Sequence, residues 1–176
     1  QHVLRIDRET REEISNQTLE VLLRFIEDKI PEVDVILISD YGKGLITDTL
    51  MARLVGTAQK HAKVTIADPK GIDFSKYSGV SLLTPNKKEA AVAAGIEIIN
   101  ESTLFEAGAR ILEAGGIDSL LITCGKDGMV LFEQDQTPYK IRAEARQVYD
   151  VSGAGDTVLA VMGLAAVSYT HLRAHE

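Results

Sequence analysis

The sequence predicts an α/β fold with a mostly parallel central sheet. Two observations predict it: short, near-continuous apolar runs alternate with longer segments of helical periodicity, and a polar turn cluster follows each of the first four runs. A first helix is expected over 11–29, where Ile14, Val21, Leu22, Phe25 and Ile26 recur at helical spacing. The run Val33-Asp34-Val35-Ile36-Leu37-Ile38-Ser39 lies between Pro31 and Gly42 and is almost unbroken in its apolar character. A parallel strand covered on both faces needs such a run. Thr47 is placed to cap a helix reaching about His61. Residues 63–67 and 80–84 read as the second and third strands, 86–94 as a short helix, 102–114 as a longer helix and 119–123 as the fourth strand. Residues 129–133 follow so closely after Gly125-Lys126-Asp127-Gly128 that an antiparallel hairpin is expected there. The apolar stretch 158–167 closes the series as a helix whose start carries Asp156. Crossovers between the parallel strands should be right-handed.

Composition narrows the function classes. The 176 residues suffice for one domain with a buried core, and 45% apolar with 26% charged residues is ordinary for a soluble globular protein. A net charge of -7 and a pI near 5.1 disfavour nucleic acid or an anionic membrane as the partner. No segment approaches a membrane span in length. The single cysteine, Cys124, excludes an internal disulfide framework and a multi-cysteine zinc site; with no charged-then-apolar leader at the start, a reducing, cytoplasmic setting is expected.

The segment richest in chemistry is Asp150-Val151-Ser152-Gly153-Ala154-Gly155-Asp156-Thr157. Glycines let the backbone approach an anion closely, and the unpaired amides of a helix start, with the macrodipole behind them, favour negative charge. Gly153, Ala154 and Gly155 can therefore aim amides at a phosphoryl group. A carboxylate beside an anion site is costly unless it takes a proton from an attacking hydroxyl or faces a metal ion, and Asp156 stands in that place. Asp is also a common helix cap, but a cap does not call for Gly-Ala-Gly before it.

Polar clusters end the predicted strands, where ligands gather in such folds. They are Asp40-Tyr41-Gly42-Lys43-Gly44, Asp68-Pro69-Lys70-Gly71, Thr84-Pro85-Asn86 and Thr123-Cys124-Gly125-Lys126. Each alone has the composition of any turn. Asn86 with Glu89 likewise fits a capping box by residue type alone.

Three segments in order carry a family resemblance: Asn86-Lys87-Lys88-Glu89, Thr123-Cys124-Gly125-Lys126-Asp127-Gly128, and Asp150 to Asp156. Together they resemble the Asn-x-x-Glu, Thr-x-Gly-x-x-Gly and Asp-Thr-x-Gly-Ala-Gly-Asp motifs of the ribokinase-like (PfkB) carbohydrate kinases. The resemblance implies a ribokinase-like three-layer sandwich and ATP-dependent phosphorylation of a sugar. It implies Asp156 as the base, with Gly153, Ala154 and Gly155 as the anion hole. Asn86, Lys87, Lys88, Glu89, Thr123, Gly125, Lys126 and Gly128 would contact ATP, and Asn86, Glu89 and Asp150 would attend Mg²⁺. Asp40, Lys43 and Lys70 are weaker candidates for the sugar phosphate.

Within the family, Arg5-Ile6-Asp7-Arg8-Glu9, Ser39-Asp40-Tyr41-Gly42-Lys43-Gly44, Asp68-Pro69-Lys70-Gly71, Leu83-Thr84-Pro85-Asn86 and Val151 resemble the branch that acts on heptose phosphate. That branch implies transfer of the ATP γ-phosphate to the anomeric hydroxyl of D-glycero-β-D-manno-heptose 7-phosphate, on the route to ADP-heptose and lipopolysaccharide core. Another sugar kinase of the family, for ribose, fructose or fructose phosphate, and a nucleotide-binding protein without transfer stand as alternatives. The resemblance further implies an incomplete domain over 1–167, since the family's glycine-rich sugar-binding segment and β lid precede this region and adenine-enclosing segments follow it. Homodimer contacts are expected in the full-length protein. Residues 168–176 break the apolar pattern and read as a non-native tail, so His171 and His175 receive no metal role despite their spacing.

Overall fold

The computed structural model describes residues 12–143 and 153–173. Helix α1 covers Asn16–Lys29; it starts later than the periodicity predicts because Ser15 is extended and its hydroxyl accepts the Thr18 amide at 3.2 Å. A serine there satisfies a helix-start amide and ends the helix. A 3-10 turn at Ile30–Glu32, begun around Pro31, takes the chain into strand β1, Val35–Ser39. Helix α2, Asp48–Lys60, is capped by Thr47 as its sequence suggests, and strand β2 covers Val64–Asp68. A second 3-10 turn, Ser75–Tyr77, precedes β3, which is short at Leu82–Leu83. Helices α3, Lys87–Ala94, and α4, Glu101–Gly115, lead to β4, Ser119–Thr123. The hairpin strand β5, Met129–Glu133, is followed by β6, Tyr139–Ile141, and helix α5 spans Ala154–Arg173.

The strands lie in sequence order, β1-β2-β3-β4-β5-β6. Strands β1 to β4 are parallel; β5 runs antiparallel to β4 and β6 antiparallel to β5. Strand β6 escaped the sequence reading for a physical reason: it is three residues long and wholly exposed, too short a run for alternation to mark it.

Helices on both faces make three layers. Successive strand residues point to opposite faces, so Ile38, Ala67, Leu83, Leu120 and Ile122 join Met51, Val55, Ala90 and Ile111 under α2, α3 and α4. Ile66, Leu82 and Leu121 point the other way and pack with Leu159 of α5. This double burial is why the strands read as unbroken apolar runs. Helix α5 approaches β1 closely: a Cβ on Gly163 would come within 2.9 Å of the Leu37 side chain. No helix among the described residues is long and apolar enough to cross a membrane.

Candidate active site

The carboxyl ends of β1 and β2 and the starts of α3 and α5 enclose a cleft of about 230 Å³. Its walls are Asp40 and Tyr41 after β1, Asp68, Pro69 and Lys70 at the end of β2, Glu89 of α3, and Gly153 to Asp156 at the start of α5. The structure thus gathers the clusters that end β1 and β2 with the Gly-Ala-Gly-Asp segment in one place. Larger hollows lie elsewhere, including one of about 520 Å³ beside Arg53, Thr57 and His61 on α2, but none of the sequence motifs borders it.

Helix α5 begins at Ala154, after Gly153 turns the chain at a φ of 78°. Asp156 therefore stands inside the first turn and not at the cap position before it. The first amides of an α-helix have no partner within it, so those of 154–156 are available to an anion at this end of the cleft. The Tyr41 hydroxyl donates to Asp156 Oδ1 at 3.2 Å and Oδ2 at 3.3 Å, and Ser39 Oγ donates to Oδ1 at 3.4 Å.

Asp68 faces the same space. Burial pushes its carboxyl up to about 6, with repulsion from Glu89 and Asp156 adding to the rise. Lys70 supplies local compensation, but its Nζ is already bonded to Glu89 Oε1 at 2.8 Å, and that bond holds its ammonium above the ordinary range.

Asn86 and Glu89 form a complete capping box: Asn86 Oδ1 accepts the Lys88 and Glu89 amides, and Glu89 Oε2 accepts the Asn86 amide at 3.0 Å. With Oε1 on Lys70, both Glu89 oxygens are engaged. Among the described residues no group of three or more His, Cys, Asp or Glu side chains is arranged to hold a metal directly. Asp150 lies outside the described residues.

The other sequence candidates are distributed around this centre. Asn86 pairs with Thr123 across an isolated parallel bridge, which brings the α3 start to the end of β4. Gly125 and Lys126 sit in a 3-10 turn over Gly125–Asp127, and Gly128 at φ 89° lets the chain pass against the Ile141 carbonyl, where any Cβ would overlap. Lys87 lines a separate hollow of about 400 Å³ with Cys124 and Asp127, and Lys88 is exposed. Burial raises the Cys124 thiol, which keeps it protonated and unreactive. Lys43 is exposed on the loop after β1.

Asp40 is buried, and its three close partners are protein groups: Tyr77 Oη at 2.5 Å, Lys76 Nζ at 2.6 Å and the Gly42 amide at 2.7 Å. Burial alone would raise its carboxyl, but the bonds from Lys76, Tyr77 and Gly42 outweigh it and hold the group below its ordinary value. Burial and the Asp40 bond push the Tyr77 hydroxyl far above its usual range, so it stays a donor. Site reading from sequence overlooked Ser39, Tyr41, Asp68, Lys76 and Tyr77. Tyr41 and Asp68 had a signal, since they belong to strand ends already marked as polar clusters, and Ser39 closes the apolar run beside the first of them; Lys76 and Tyr77 come from a connecting loop and had none.

The three-layer sandwich thus sets a carboxylate at a glycine-rich helix start beside a polar cleft at the strand ends. The chain belongs to the pfkB family of carbohydrate kinases, whose sequence pattern matches residues 1–174. It is 49% identical over 164 residues to the bifunctional protein HldE of Desulfatibacillum aliphaticivorans and 46% identical over 165 residues to that of Geobacter metallireducens. These alignments cover 93% and 94% of the chain but 34% of each relative, so the chain spans about a third of the length of the curated relatives it matches. Among solved structures, the tetrameric inhibited form of phosphofructokinase-2 from Escherichia coli superposes with a TM-score of 0.70 at 20% identity, covering 85% of this chain and 51% of that one. Arabidopsis thaliana ribokinase complexed with ribose and ATP superposes at 0.67 and 22% identity, covering 88% and 47%. At such identities the likeness establishes the fold.

Proposed function

We propose that this chain is the central part of a kinase that moves the γ-phosphate of ATP to the anomeric hydroxyl of D-glycero-β-D-manno-heptose 7-phosphate, giving the 1,7-bisphosphate. The observation that carries the chemistry is the Asp156 carboxylate in the cleft, one residue from the Gly155 amide at the start of α5. The choice of heptose rests on the resemblance of the segments around Tyr41, Lys70 and Asn86, and the identity with HldE proteins supports it.

Phosphoryl transfer asks little covalent work of a protein; positioning and charge stabilisation dominate. Asp156 takes the proton of the attacking hydroxyl, and the amides of 154–156 with the dipole of α5 face the transferring group. Asn86, Glu89, Thr123, Gly125, Lys126 and Gly128 are assigned to the nucleotide side, and Lys70 and Lys43 to the sugar phosphate. Mg²⁺ fits this donor set in one way. The ion keeps several waters and binds through one or two carboxylates plus substrate phosphates; burial is the larger cause of the raised Asp68 carboxyl, and the added repulsion from Glu89 and Asp156 is the part a cation relieves. Asp68 would hold it, with Glu89 joining only where its Oε1 gives up Lys70, and it would neutralise the phosphate charge. The full-length protein is assigned to the cytoplasm as a homodimer, in the route to ADP-heptose.

The test is ATP consumption by the full-length protein with Mg²⁺ and heptose 7-phosphate, run against fructose 6-phosphate and ribose. Heptose-dependent turnover is expected. Turnover confined to another sugar keeps the kinase and discards the heptose, and ATP binding without transfer to any of the three discards the catalytic reading.

A further inference from the structure

We propose that Tyr41 is a positioning residue for the Asp156 carboxylate, its hydroxyl spanning both oxygens and, with Ser39, fixing the orientation in which the carboxylate meets the substrate proton. The proposal rests on the assignment of Asp156 as the base. The Tyr41 hydroxyl is shared almost evenly between Oδ1 at 3.2 Å and Oδ2 at 3.3 Å, and Ser39 Oγ adds a longer contact to Oδ1 at 3.4 Å. A base works when a lone pair is aimed at the proton it removes, and a carboxylate held by two hydroxyls has fewer orientations to lose on the way to that geometry.

The alternation of β1 explains why these two residues reach α5. Ser39 and Tyr41 are two apart in extended chain and share a face, while Ile38 and Asp40 point to the opposite side, Ile38 into the core under α2 and Asp40 to Lys76 and Tyr77. Tyr41 itself is 62% exposed, so packing does not fix it. Its backbone is fixed by its neighbours. Asp40 is locked by three hydrogen bonds, and Gly42 at φ 65° directs its amide back to Asp40 Oδ1 at 2.7 Å. The Asp40, Lys76 and Tyr77 network, on the side of the chain opposite Tyr41, thereby sets the position of a hydroxyl that touches the base.

The experiment is a double-mutant cycle on the full-length protein, measuring kcat and the KM for ATP and for sugar phosphate in Tyr41→Phe, Asp156→Asn and the combined variant. Losing one hydrogen bond to a charged group corresponds to about 10-fold, so Tyr41→Phe should lower kcat by about that factor with both KM values unchanged. In the Asp156→Asn background the same change should have no further effect. Ser39→Ala should reproduce a smaller kcat loss with the same pattern. A wild-type kcat in Tyr41→Phe, a raised sugar KM at unchanged kcat, or a loss that persists when Asp156 is Asn overturns the positioning role while leaving the base assignment standing. Full turnover in Asp156→Asn overturns the base assignment itself. Tyr41→Phe removes one oxygen from an exposed ring, so an unchanged Tm is expected to accompany the kcat loss.

Discussion

Gly155 stands so close to Asp68 that a Cβ on it would come within 3.3 Å of Asp68 Oδ2. The end of β2 and the start of α5, separated by about half the chain, meet there with little room for a side chain, and the wall they form runs from Asp68 to Asp156. The glycine at this position serves close approach, since no positive φ is recorded for it.

Gly155→Ala tests that contact. The carboxylate can rotate by the few tenths of an ångström required, so stability should change by less than about 1 kcal/mol. The displaced Asp68 would intrude beside Asp156, and turnover should fall by about 10-fold or more, as small misplacements at a reacting centre do. Thermal melts and kcat on the same sample separate the two effects; a large drop in Tm at unchanged kcat contradicts the assignment.

Asp68 itself makes a pH prediction. Its folded value of about 6 lies above the unfolded 3.8, so the folded state binds the extra proton between these values. Stability must then fall as pH rises from about 4 to about 6 and level off above that, where the buried charge is fully present. Asp68→Asn removes the penalty and should be more stable than wild type at pH 8, by on the order of 1 kcal/mol after allowing for solvent screening, with no advantage at pH 4. Urea unfolding across that range checks it. Asp40 acts in the opposite sense: its lowered value adds stability that is lost only as pH falls below the ordinary carboxylate range.

Lys76→Met leaves the Asp40 carboxylate buried without its cation. Breaking a buried pair by removing one partner costs about 3 to 5 kcal/mol, and the Tyr77 and Gly42 bonds that remain place the expected loss at the lower end. Adding Asp40→Asn to Lys76→Met should recover part of it. Chemical denaturation of the two variants decides; a loss under about 1 kcal/mol in the single variant means the pair contributes little.

Gly108 lies in the middle of α4 with the Phe132 ring of β5 against it, and a Cβ there would overlap the ring. Helix propensity favours Ala over Gly by about 1 kcal/mol, but overpacking costs about 1 to 3 kcal/mol. Gly108→Ala is therefore expected to lower Tm, and pairing it with Phe132→Leu should relieve the overlap and restore part of the difference. A higher Tm for the single variant contradicts the packing argument.

The sheet and most helices were legible because burial on two faces imprints unbroken apolar runs, and because Thr47 and Asn86 announce helix starts by residue type. The beginning of α1 was misread because apolar periodicity continues past Ser15, while the serine hydroxyl, which stops the helix, contributes nothing to that pattern. Residues at the candidate site divide in the same way. The glycines and Asp156 carry a local signature, whereas the contact from Tyr41 to Asp156 joins positions 115 residues apart and depends on which face of β1 the tyrosine takes. Nothing local to Tyr77 tells that its hydroxyl reaches Asp40, 37 residues away.

Asp156 as the base of a sugar-phosphate kinase is tested most directly by the kcat of Asp156→Asn in the full-length protein, with ATP, Mg²⁺ and heptose 7-phosphate. A fall of about 10² to 10⁴-fold at nearly unchanged ATP affinity is expected, the range a positioned general base contributes. Turnover equal to wild type would contradict that role.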